Sequence, residues 1–488
     1  MLHNRPFQRW FKPRRILPGL VLVLLAVLLA ETGFFNNPFL RINRSWLRRA
    51  DELRAIPELP AIGKEARILI FAPHPDDEVI GTAGLIQKAR RAGARVRVVY
   101  LTNGDHDEIA FKIDAGRFAL TPREYLAMGE RRRRESAAAA EFLGLEKGDL
   151  IFLGYPDFGT MHIWEQHWGP APAFSNDLTR ASAVPYPDNF SYRAPYKGES
   201  IVADLLRILK EYRPTAIFVT MPADFNADHQ AAWCFLSLAV LEAGFQTRPP
   251  DVFLFLVHLG GWPRPLHYHP NLPLLPPARL TGSELSWFKL PLTPEETGRK
   301  YRALRFFASV MKGRAYLWSA FARQNELFAT LPEFRMRKVF PSAWEKALEV
   351  ENLEAGDRKA VRKEEADLEG VSYLKVDDHL LVRMLLKRKL AIETGLSLYL
   401  FGYRRDVTFN SMPKIRLAAS ILKTVPVYDG SRKIGDLPVK LAGDGTELLL
   451  SVPLAMLGRP EAIFTSLHFR RADLSLDSTA WHLLRLQD

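Results

Sequence analysis

The chain has 488 residues, with 67 lysines and arginines against 55 aspartates and glutamates, so its formal net charge is +12. This length exceeds one ordinary hydrophobic core and predicts two or three folded units. More than half of the excess positive charge lies in the first 54 residues, beside an apolar segment, which favours a membrane surface as its partner. No helix-turn-helix or zinc-finger pattern occurs, which argues against nucleic-acid binding. A single cysteine, Cys234, excludes an internal disulfide.

Residues 1–36 are predicted to form a basic tail and a transmembrane signal anchor. The uncharged run of residues 16–30 spans about 22 Å as a helix, and extension through Phe35 brings it close to the ~30 Å of a bilayer core. A signal peptide cleaved after Ala30 is the alternative. The preceding basic residues place the N-terminus in the cytoplasm, which predicts a single-pass cell-membrane protein with a periplasmic catalytic domain. Residues 37–64 are predicted to be a juxtamembrane linker, either solvated or a basic amphipathic helix at the interface.

From residue 66 onward, buried strand patterns alternate with helical patterns. This alternation predicts a doubly wound, Rossmann-like α/β domain with a mostly parallel sheet at residues 65–331. We expect the long, aromatic and proline-rich connection of residues 157–198 to form a lid or a wall of the substrate site. The predicted strands are residues 67–72, 96–101, 150–153, 215–220 and 252–257, and the predicted helices are residues 78–92, 123–142, 200–212, 230–243 and 293–328.

The turn after the first predicted strand carries an imidazole and two carboxylates. Residues 67–81 read RILIFAPHPDDEVIG, so His74, Asp76 and Asp77 lie where a buried strand gives way to a helix. One imidazole and one carboxylate are metal-ligand types, which leaves a carboxylate to act on a metal-bound water. Adjacent aspartates do not easily point the same way, which favours this division. The alternative is an ordinary Asp-capped helix start with His74 in solvent.

A second polar turn follows the fourth predicted strand, where residues 221–230 read MPADFNADHQ. It offers Asp224, Asn226, Asp228 and His229. Both turns follow parallel strands, whose carboxyl ends share one edge of the sheet, so we expect the turns to meet there. His74, Asp77 and His229 would then form a two-histidine, one-carboxylate set with an open fourth position, as in catalytic zinc sites. Such a set also accepts other divalent transition metals.

The pattern changes beyond residue 331. Residues 332–370 are highly charged without a strong apolar face and are predicted to form a charged linker or a connecting helix. Short β-rich runs with turns at Asp429-Gly430 and Gly445 then predict an antiparallel β-sandwich domain at residues 371–488. The segment LLLSVPLAMLG gives this domain a faint resemblance to jelly-roll carbohydrate-binding modules. The alternative is a β-domain that only packs on the α/β domain.

Together, the HPDDE turn and the later D-x-N-x-D-H turn resemble the zinc-dependent LmbE-like family. Its members include the N-acetylglucosaminyl-phosphatidylinositol de-N-acetylases, or PIG-L proteins. Smaller matches follow in order along the chain, and the resemblance covers residues 65–331. They are LTNGD at 101–105, the RRRRES…LG helix at 131–144, FLGYPD at 152–157 and FARQNELF at 321–328.

The resemblance implies a zinc-dependent N-acetyl sugar deacetylase with assigned residue roles. His74, Asp77 and His229 would bind Zn²⁺, and Asp76 would act as the general base on the attacking water. The family pattern also places Arg132 near the substrate; the alternative is that it belongs to a solvated charged helix face.

The second turn departs from the family at Asn226, where many relatives carry a histidine. An asparagine can donate a hydrogen bond to a developing oxyanion, but it cannot carry a proton between groups. We expect Asp228 to orient neighbouring groups, with simple helix capping as the alternative.

Three functional hypotheses follow. The first is a membrane-anchored, zinc-dependent hydrolase that removes the N-acetyl group from an amino sugar in a glycolipid or an envelope polysaccharide. The second, suggested by Asn226 and the C-terminal β-domain, is a non-catalytic envelope carbohydrate-binding protein that retains the deacetylase fold. The third is amide cleavage on a sugar-linked thiol or another small metabolite, which suits a membrane anchor poorly.

Overall fold

The computed structural model describes residues 51–106, 111, 116, 119–245, 248–281, 283–336, 348–351, 368–389, 394–419, 424–442, 445–471 and 474–486. The chain divides into two compact units, residues 1–56 and residues 57–488. Only residues 51–56 of the first unit are described, and residues 51–55 are helical. The predicted signal anchor of residues 1–36 lies outside the described residues. Over the described part of the chain, no helix combines the length and apolar character needed to cross a bilayer.

A mixed sheet flanked by helices forms the first domain of the larger unit. Its elements are β1 (Arg67–Ala72), α1 (Asp77–Arg91), β2 (Arg95–Thr102), α2 (Pro122–Phe142), β3 (Leu150–Tyr155), α3 (Thr160–Gln166), α4 (Gly198–Tyr212), β4 (Ala216–Thr220), α5 (Ala227–Ala243), β5 (Asp251–Phe255), β6 (Ser286–Pro291), α6 (Pro294–Leu304), α7 (Ala308–Met311), α8 (Ala315–Trp318) and β7 (Asn325–Thr330). Within the described residues the strand order is β3-β2-β1-β4-β5-β7-β6. The first five strands are parallel, and β7 runs antiparallel to both β5 and β6.

Both faces of the parallel strands are buried, which explains their continuous apolar runs. In β1, Leu69 and Phe71 join the core that contains α4 and α5. Ile68 and Ile70 join the core on the other face, with α1, α2 and α6. The predicted doubly wound α/β domain is thus confirmed. Because β1 and β4 are neighbours in the sheet, the turns that follow them lie side by side.

The far edge of the sheet differs from the prediction of a helix over residues 293–328. Helix α6 ends at Leu304, two short helices follow, and the chain then forms β7. Glu326 in this strand is buried and accepts the backbone N–H groups of Gly84 at 2.7 Å and Leu85 at 2.9 Å. Lys300 Nζ lies 2.7 Å from the same carboxylate. These partners are distant in sequence, so no local pattern reveals that the segment is a strand.

A curved, mainly antiparallel sheet forms the C-terminal domain. Its strands are β8 (Phe334–Met336), β9 (Leu348–Glu351), β10 (Leu368–Val376), β11 (His379–Leu386), β12 (Gly395–Tyr403), β13 (Lys414–Ala419), β14 (Thr424–Asp429), β15 (Arg432–Ala442), β16 (Glu447–Pro453), β17 (Ala462–Arg471), β18 (Leu474–Ser478) and β19 (His482–Leu486). The first part of β15 pairs with β14 and its last four residues pair with β16. One long strand therefore joins the two halves into a continuous, nearly barrel-like sheet, and the prediction of a two-sheet sandwich is wrong in this respect.

Part of the predicted charged linker at residues 332–370 belongs to this sheet. Strand β8 pairs with β19, and β9 pairs with β10, which begins at Leu368. Phe334 and Met336 are buried in the core of the sheet. The prediction of a linker or connecting helix is wrong for β8 and β9, because both pair with distant strands and the apolar side chains of β8 pack into the core of the sheet. Residues 337–347 and 352–367 lie outside the described part.

The two domains share a hydrophobic core around Trp164 of α3. The Trp164 ring is buried, and its centroid lies 5.1 to 6.0 Å from four rings of the C-terminal domain. These rings belong to Phe401, Phe409, Phe464 and Trp481. Next to it, the Glu165 carboxylate accepts a hydrogen bond from the Tyr399 hydroxyl at 3.2 Å. The C-terminal domain therefore fixes α3, which belongs to the segment expected to form a lid or wall.

Candidate metal centre

The turn after β1 has an unusual backbone. Asp76 has φ 126° and ψ −29°, a conformation that costs a non-glycine residue on the order of 1–3 kcal/mol. Asp76 immediately precedes α1, yet its side chain makes no capping hydrogen bond to that helix. The simple Asp-capped helix start is therefore not what forms here. Backbone strain of this kind concentrates at functional sites.

Three donor atoms from two turns form a compact triangle. His74 Nδ1, Asp77 Oδ2 and His229 Nε2 lie 3.2 Å from one another. All three residues are buried. Ligands at zinc's bond lengths of ~2.0–2.2 Å lie roughly 3.3–3.6 Å apart in a tetrahedral site. The triangle is thus spaced to accept such an ion after a small outward adjustment.

The remote nitrogens of both imidazoles face buried carboxylates. His74 Nε2 lies 3.1 Å from Asp157 Oδ1 and 3.3 Å from Asp228 Oδ2. His229 Nδ1 lies 3.1 Å from Asp224 Oδ2. A metal-binding histidine usually directs its other ring N–H at a carboxylate or carbonyl, which fixes the ring and its tautomer. This arrangement fits two imidazoles that are oriented to bind one ion with their inner nitrogens.

Asp224 is itself held rigidly. Its Oδ2 accepts the backbone N–H groups of Val257 at 3.0 Å and His258 at 2.9 Å, and its Oδ1 accepts that of Asn226 at 2.9 Å. The carboxylate is fully buried. It therefore ties the loop after β5 to the histidine of the β4 turn.

A second donor group consists of His74, Asp157 and Asp228, which also have metal-site spacing. Asp228, however, is already saturated by donors of the chain. Its Oδ2 accepts the backbone N–H of Phe158 at 2.5 Å, and its Oδ1 accepts the N–H of Thr160 at 3.0 Å and the Thr160 hydroxyl. The triangle with Asp77 is thus the better ion site, and Asp228 is better suited to positioning.

Buried negative charge dominates the electrostatics of this cluster. Burial alone would lower the pKa of His229, but Asp224 and Asp77 outweigh it and raise that pKa to about 9. Burial is likewise outweighed at His74, where Asp157 and the neighbouring carboxylates raise the pKa well above its ordinary value. His229 in turn holds the pKa of Asp77 well below its usual range, against the effect of burial. Four carboxylates surround the two imidazoles: Asp77, Asp157, Asp224 and Asp228. Even with both imidazoles protonated, these carboxylates leave excess negative charge, which a divalent cation would neutralise.

Arg132 extends from α2 to the back of the turn that carries Asp76. It is buried, so it does not belong to a solvated helix face. Its Nη2 donates to Pro75 O at 2.9 Å and to Asp76 Oδ2 at 3.3 Å, and its Nη1 donates to Gly104 O at 3.0 Å. Gly104 has φ +68°, and a Cβ there would lie 2.3 Å from the guanidinium. Only glycine leaves room for the arginine that supports Asp76.

Glu78, the last residue of the HPDDE motif, stabilises the turn through hydrogen bonds. Its Oε2 accepts the backbone N–H of Asp76 at 2.9 Å, and its Oε1 accepts the Ser136 hydroxyl at 2.6 Å. Burial raises the pKa of Glu78 to about 8. Glu78 therefore contributes to the strained conformation of Asp76 through a direct backbone contact.

In the second turn Asn226, and not Asp228, caps the helix that follows. Asn226 is the N-cap of α5, and its Oδ1 accepts the backbone N–H of Asp228 at 2.8 Å. Asp228 points away from the cap, toward Phe158 and Thr160 at the start of α3. The cap thus fixes the Asn226 amide, which leaves its Nδ2 donors for other partners.

A cavity of about 640 Å³ opens beside the triangle. It is lined by His74, Asp76, Arg132 and Asn226 of the predicted site, and further by His106, Asp157, Phe158, Phe225, Ala227, His258, Arg314, Leu317 and Trp318. This volume suits a ligand of one to a few sugar units in size. The cavity brings the proposed base and metal site to one solvent-connected space.

Three further site residues were not predicted: Asp157, Glu78 and His258. Asp157 ended a recognised motif, FLGYPD, and Glu78 ended HPDDE, so a signal was present for both. The His258 ring packs against His229 with centroids 4.8 Å apart, and burial lowers its pKa to about 4. No motif marked His258; only its place just after β5 indicated the site edge of the sheet.

Comparisons with known proteins point to one family. Residues 69–240 match the family model described as PIG-L, GlcNAc-PI de-N-acetylase. Two similar curated proteins are 1D-myo-inositol 2-acetamido-2-deoxy-alpha-D-glucopyranoside deacetylases. The one from Streptomyces scabiei is 30% identical over 193 residues, 38% of this chain and 51% of the relative. The one from Streptomyces griseus is 34% identical over 176 residues, 35% of this chain and 45% of the relative. The chain spans about half the length of the curated relatives it matches.

Solved structures to which the chain is similar include an N,N'-diacetylchitobiose deacetylase from Pyrococcus horikoshii. It is 20% identical, covers 60% of this chain and 92% of that chain, and has a TM-score of 0.34. The A40926 pseudoaglycone deacetylase Dbv21 is 19% identical, with 54% and 96% coverage and the same TM-score of 0.34.

Proposed function

Residues 69–240 are a PIG-L deacetylase domain, as the resemblance of the two turns implied, and we propose that this domain makes the chain a metal-dependent hydrolase. Its reaction would be removal of the N-acetyl group from an N-acetylated amino sugar, with release of acetate. The observation that carries this proposal is the buried triangle of His74, Asp77 and His229, whose His74 lines the same cavity as Asp76. The deacetylase names of the curated relatives support the same chemistry.

The proposed metal ligands are His74, Asp77 and His229, and Zn²⁺ is the proposed ion. Bound there, it would polarise a water and the acetyl carbonyl as a Lewis acid. Asp76 accepts the proton of the attacking water and returns it to the amine nitrogen as the C–N bond breaks. Arg132 contacts Asp76 Oδ2 and the carbonyl of the preceding residue, so it holds the base in place.

Other cavity residues orient the substrate in this proposal. Asn226 donates from Nδ2 to the acetyl oxygen, where negative charge develops; loss of one such donor costs roughly 10²–10³ in rate. The lowered pKa of His258 keeps its imidazole neutral at neutral pH, so it can hydrogen-bond a sugar hydroxyl without adding charge. Asp157 and Asp224 hold the two imidazoles in their metal-binding orientation.

The test combines metal analysis with an acetate-release assay on the purified full-length chain. N-acetylhexosamines and their β-1,4-linked oligomers are the substrates. We expect one zinc per chain, acetate release by the wild type, and Asp76→Asn with metal retained but turnover reduced by roughly 10²–10⁴. His229→Ala should lose the metal. Asp188→Asn, at a carboxylate whose side chain is 78% exposed, is the matched control and should behave as wild type.

Two results would reject the proposal. One is a chain that binds no divalent metal, and the other is turnover that Asp76→Asn does not reduce. A metal-bound chain that binds sugars without releasing acetate would instead favour the second candidate, a non-catalytic carbohydrate-binding protein. Asn226, which is committed to the helix cap, is the observation behind that candidate. Asn226→His would then be assayed for restored turnover.

We also propose that the apolar run of residues 16–30 anchors the chain in the cell membrane, with the hydrolase domain in the periplasm and a glycolipid or envelope polysaccharide as substrate. The support is the sequence pattern of basic residues before an uncharged run. The full-length chain should remain in the membrane fraction after alkaline carbonate extraction. Protease added outside the cytoplasmic membrane should then digest the hydrolase domain.

A further inference from the structure

Two phenylalanines at the mouth of the cavity expose their rings to solvent. Phe158 is 51% exposed and Phe225 is 60% exposed, the highest values for large apolar side chains among the described residues. Both line the cavity that also contains His74 and Asp76. Each directly follows a carboxylate, Asp157 or Asp224, that faces a histidine of the proposed metal site. The rings are therefore fixed to the two loops that build the centre.

The Phe158 ring is held in place at an energetic cost. Its backbone has φ +56°, which is unfavourable for a bulky L-residue. The conformation is maintained by the backbone N–H, which donates to the buried Asp228 carboxylate at 2.5 Å. The His106 ring lies beside the exposed ring, with centroids 5.3 Å apart. Strain that keeps an apolar ring in solvent suggests a ligand contact, because packing within the chain does not require it.

Phe225 belongs to the second of these loops. Its backbone N–H donates to His258 O at 2.8 Å, and it lies between Asp224, which is fully buried, and Asn226, which caps α5. In both loops the backbone at the phenylalanine is held by a hydrogen bond. The two loops thus present apolar faces in defined positions next to polar cavity walls.

The combination of exposed aromatic rings and polar cavity walls favours one class of ligand. A pyranose ring has C–H groups on its faces and hydroxyls at its edge, so it can stack on an aromatic face while its edge hydrogen-bonds. The cavity supplies such edge partners in Arg314 and His106. An alkyl chain would have to lie along these charged and polar groups, which disfavours it.

We propose that Phe158 and Phe225 form a sugar-stacking subsite for the unit next to the one that is deacetylated. The substrate is then an N-acetylated glycan chain of two or more sugars rather than a monosaccharide. This inference rests on the proposed function for the reaction, and it adds the substrate class. The rings act in binding, on sugars that do not react.

The experiment measures kcat and KM of the full-length chain with N-acetylglucosamine and its β-1,4-linked dimer, trimer and tetramer. The variants are Phe158→Ala, Phe225→Ala and Phe158→Asn, since asparagine tolerates the left-handed backbone better and separates loss of the ring from misfolding. Tyr192→Ala, at an aromatic residue that is 41% exposed and outside the cavity lining, is the matched control. A second substrate, octyl N-acetylglucosaminide, tests an apolar chain in the same position.

We expect the wild type to prefer the oligomers. Each phenylalanine variant should lose roughly three- to tenfold in kcat/KM on the tetramer, through KM, and less on the monosaccharide. Equal kcat/KM for all chain lengths, or variants indistinguishable from Tyr192→Ala, would overturn the subsite. The subsite would also be overturned if the octyl glycoside had as high a kcat/KM as the tetramer and if the phenylalanine variants lowered that value. The rings would then bind an alkyl chain.

A binding measurement separates this inference from the reaction itself. Calorimetric titration of the tetramer into Asp76→Asn protein reports binding without turnover. If no oligomer is hydrolysed, yet the tetramer binds and Phe225→Ala weakens that binding, the stacking subsite stands and the proposed hydrolase activity fails. If acetate is released but neither phenylalanine variant changes the affinity for the tetramer, the activity stands and the subsite fails.

Discussion

The junction around Trp164 and the centre around His74 are joined by one short segment, yet they are built from opposite chemistry. At the junction, aromatic rings from the two domains pack around Trp164. At the centre, two imidazoles are enclosed by buried carboxylates. Burial of apolar rings stabilises the fold, whereas burial of like charges opposes it. The comparison indicates that the free energy gained by burying aromatic rings at the junction offsets the cost of burying carboxylates at the centre.

The connection between the two regions is physical. Helix α3 begins at Thr160, whose N–H and hydroxyl hold Asp228, and four residues later it places Trp164 in the junction. The C-terminal sheet therefore anchors the helix that orders one wall of the centre. Weakening each region separately should reveal how far they depend on each other.

The largest effect is expected from Trp164→Ala. Removal of this buried ring leaves a large void at the domain junction and should lower the free energy of unfolding by about 3–5 kcal/mol. Urea denaturation is the measurement. Phe306→Ala, at a ring that is 38% exposed, is the control and should cost much less. Similar losses in both variants would show that the junction is not a centre of stability.

The next effect concerns pH and Glu165, also at the junction. Burial raises the pKa of Glu165 to about 7 from an ordinary 4.5, so its proton is bound more tightly in the folded state. This contribution to stability is complete below pH 4.5 and is lost as the pH rises to about 7. At about 1.4 kcal/mol per pKa unit, the rise from 4.5 to about 7 makes the full loss on the order of 3–4 kcal/mol. Denaturation at pH 5 and pH 8 should show a smaller decrease for Glu165→Gln than for the wild type; equal decreases would contradict the assignment.

At the centre, Asp224→Asn should weaken metal binding. The amide no longer attracts the remote N–H of His229 as a carboxylate does, and loss of such a partner costs roughly 10–100-fold in affinity. Competition with a zinc-binding dye gives the affinity. The exposed Asp177→Asn is the matched control. An unchanged affinity in Asp224→Asn would mean that His229 needs no carboxylate behind it.

The smallest expected effect is on the cap of α5. Asn226→Ala removes the acceptor for the Asp228 N–H and should cost about 1 kcal/mol of stability, while Asn226→Asp keeps a capping oxygen and should cost much less. Thermal unfolding of both variants is the measurement. If alanine and aspartate are equally destabilising, the Asn226 side chain contributes through something other than the cap.

Local signals predicted much of the α/β domain. Strand β1 was predicted to the residue, because a continuous apolar run ends at Pro73. Strand β7 was missed, since Glu326 looks solvent-exposed in sequence and is satisfied only by α1 and Lys300. The C-terminal sheet was recognised as antiparallel, but a strand that serves both halves, as β15 does, leaves no mark in local periodicity.

Site residues that lie in one of two short turns could be predicted from the sequence. Site residues that come from further loops could not, because their approach depends on the tertiary structure. His74, Asp77 and His229 came from two short turns and the strand neighbours that bring them together. Asp157 belongs to a third loop, and its approach to His74 depends on the strand order and on how α3 docks. Metal binding at these residues and the roles of Asp76 and Arg132 stay predictions.

The location of the junction also has a consequence for biosynthesis. Phe464 and Trp481, which enclose the Trp164 ring, are translated some three hundred residues after it. Domains generally fold as they emerge from the ribosome, N-terminal first. The nascent α/β domain therefore exposes the Trp164 face of α3 until translation has nearly finished the sheet that covers it. A ribosome that stalls within the C-terminal domain would release a polypeptide with an open aromatic face, a natural target for chaperones and quality-control proteases.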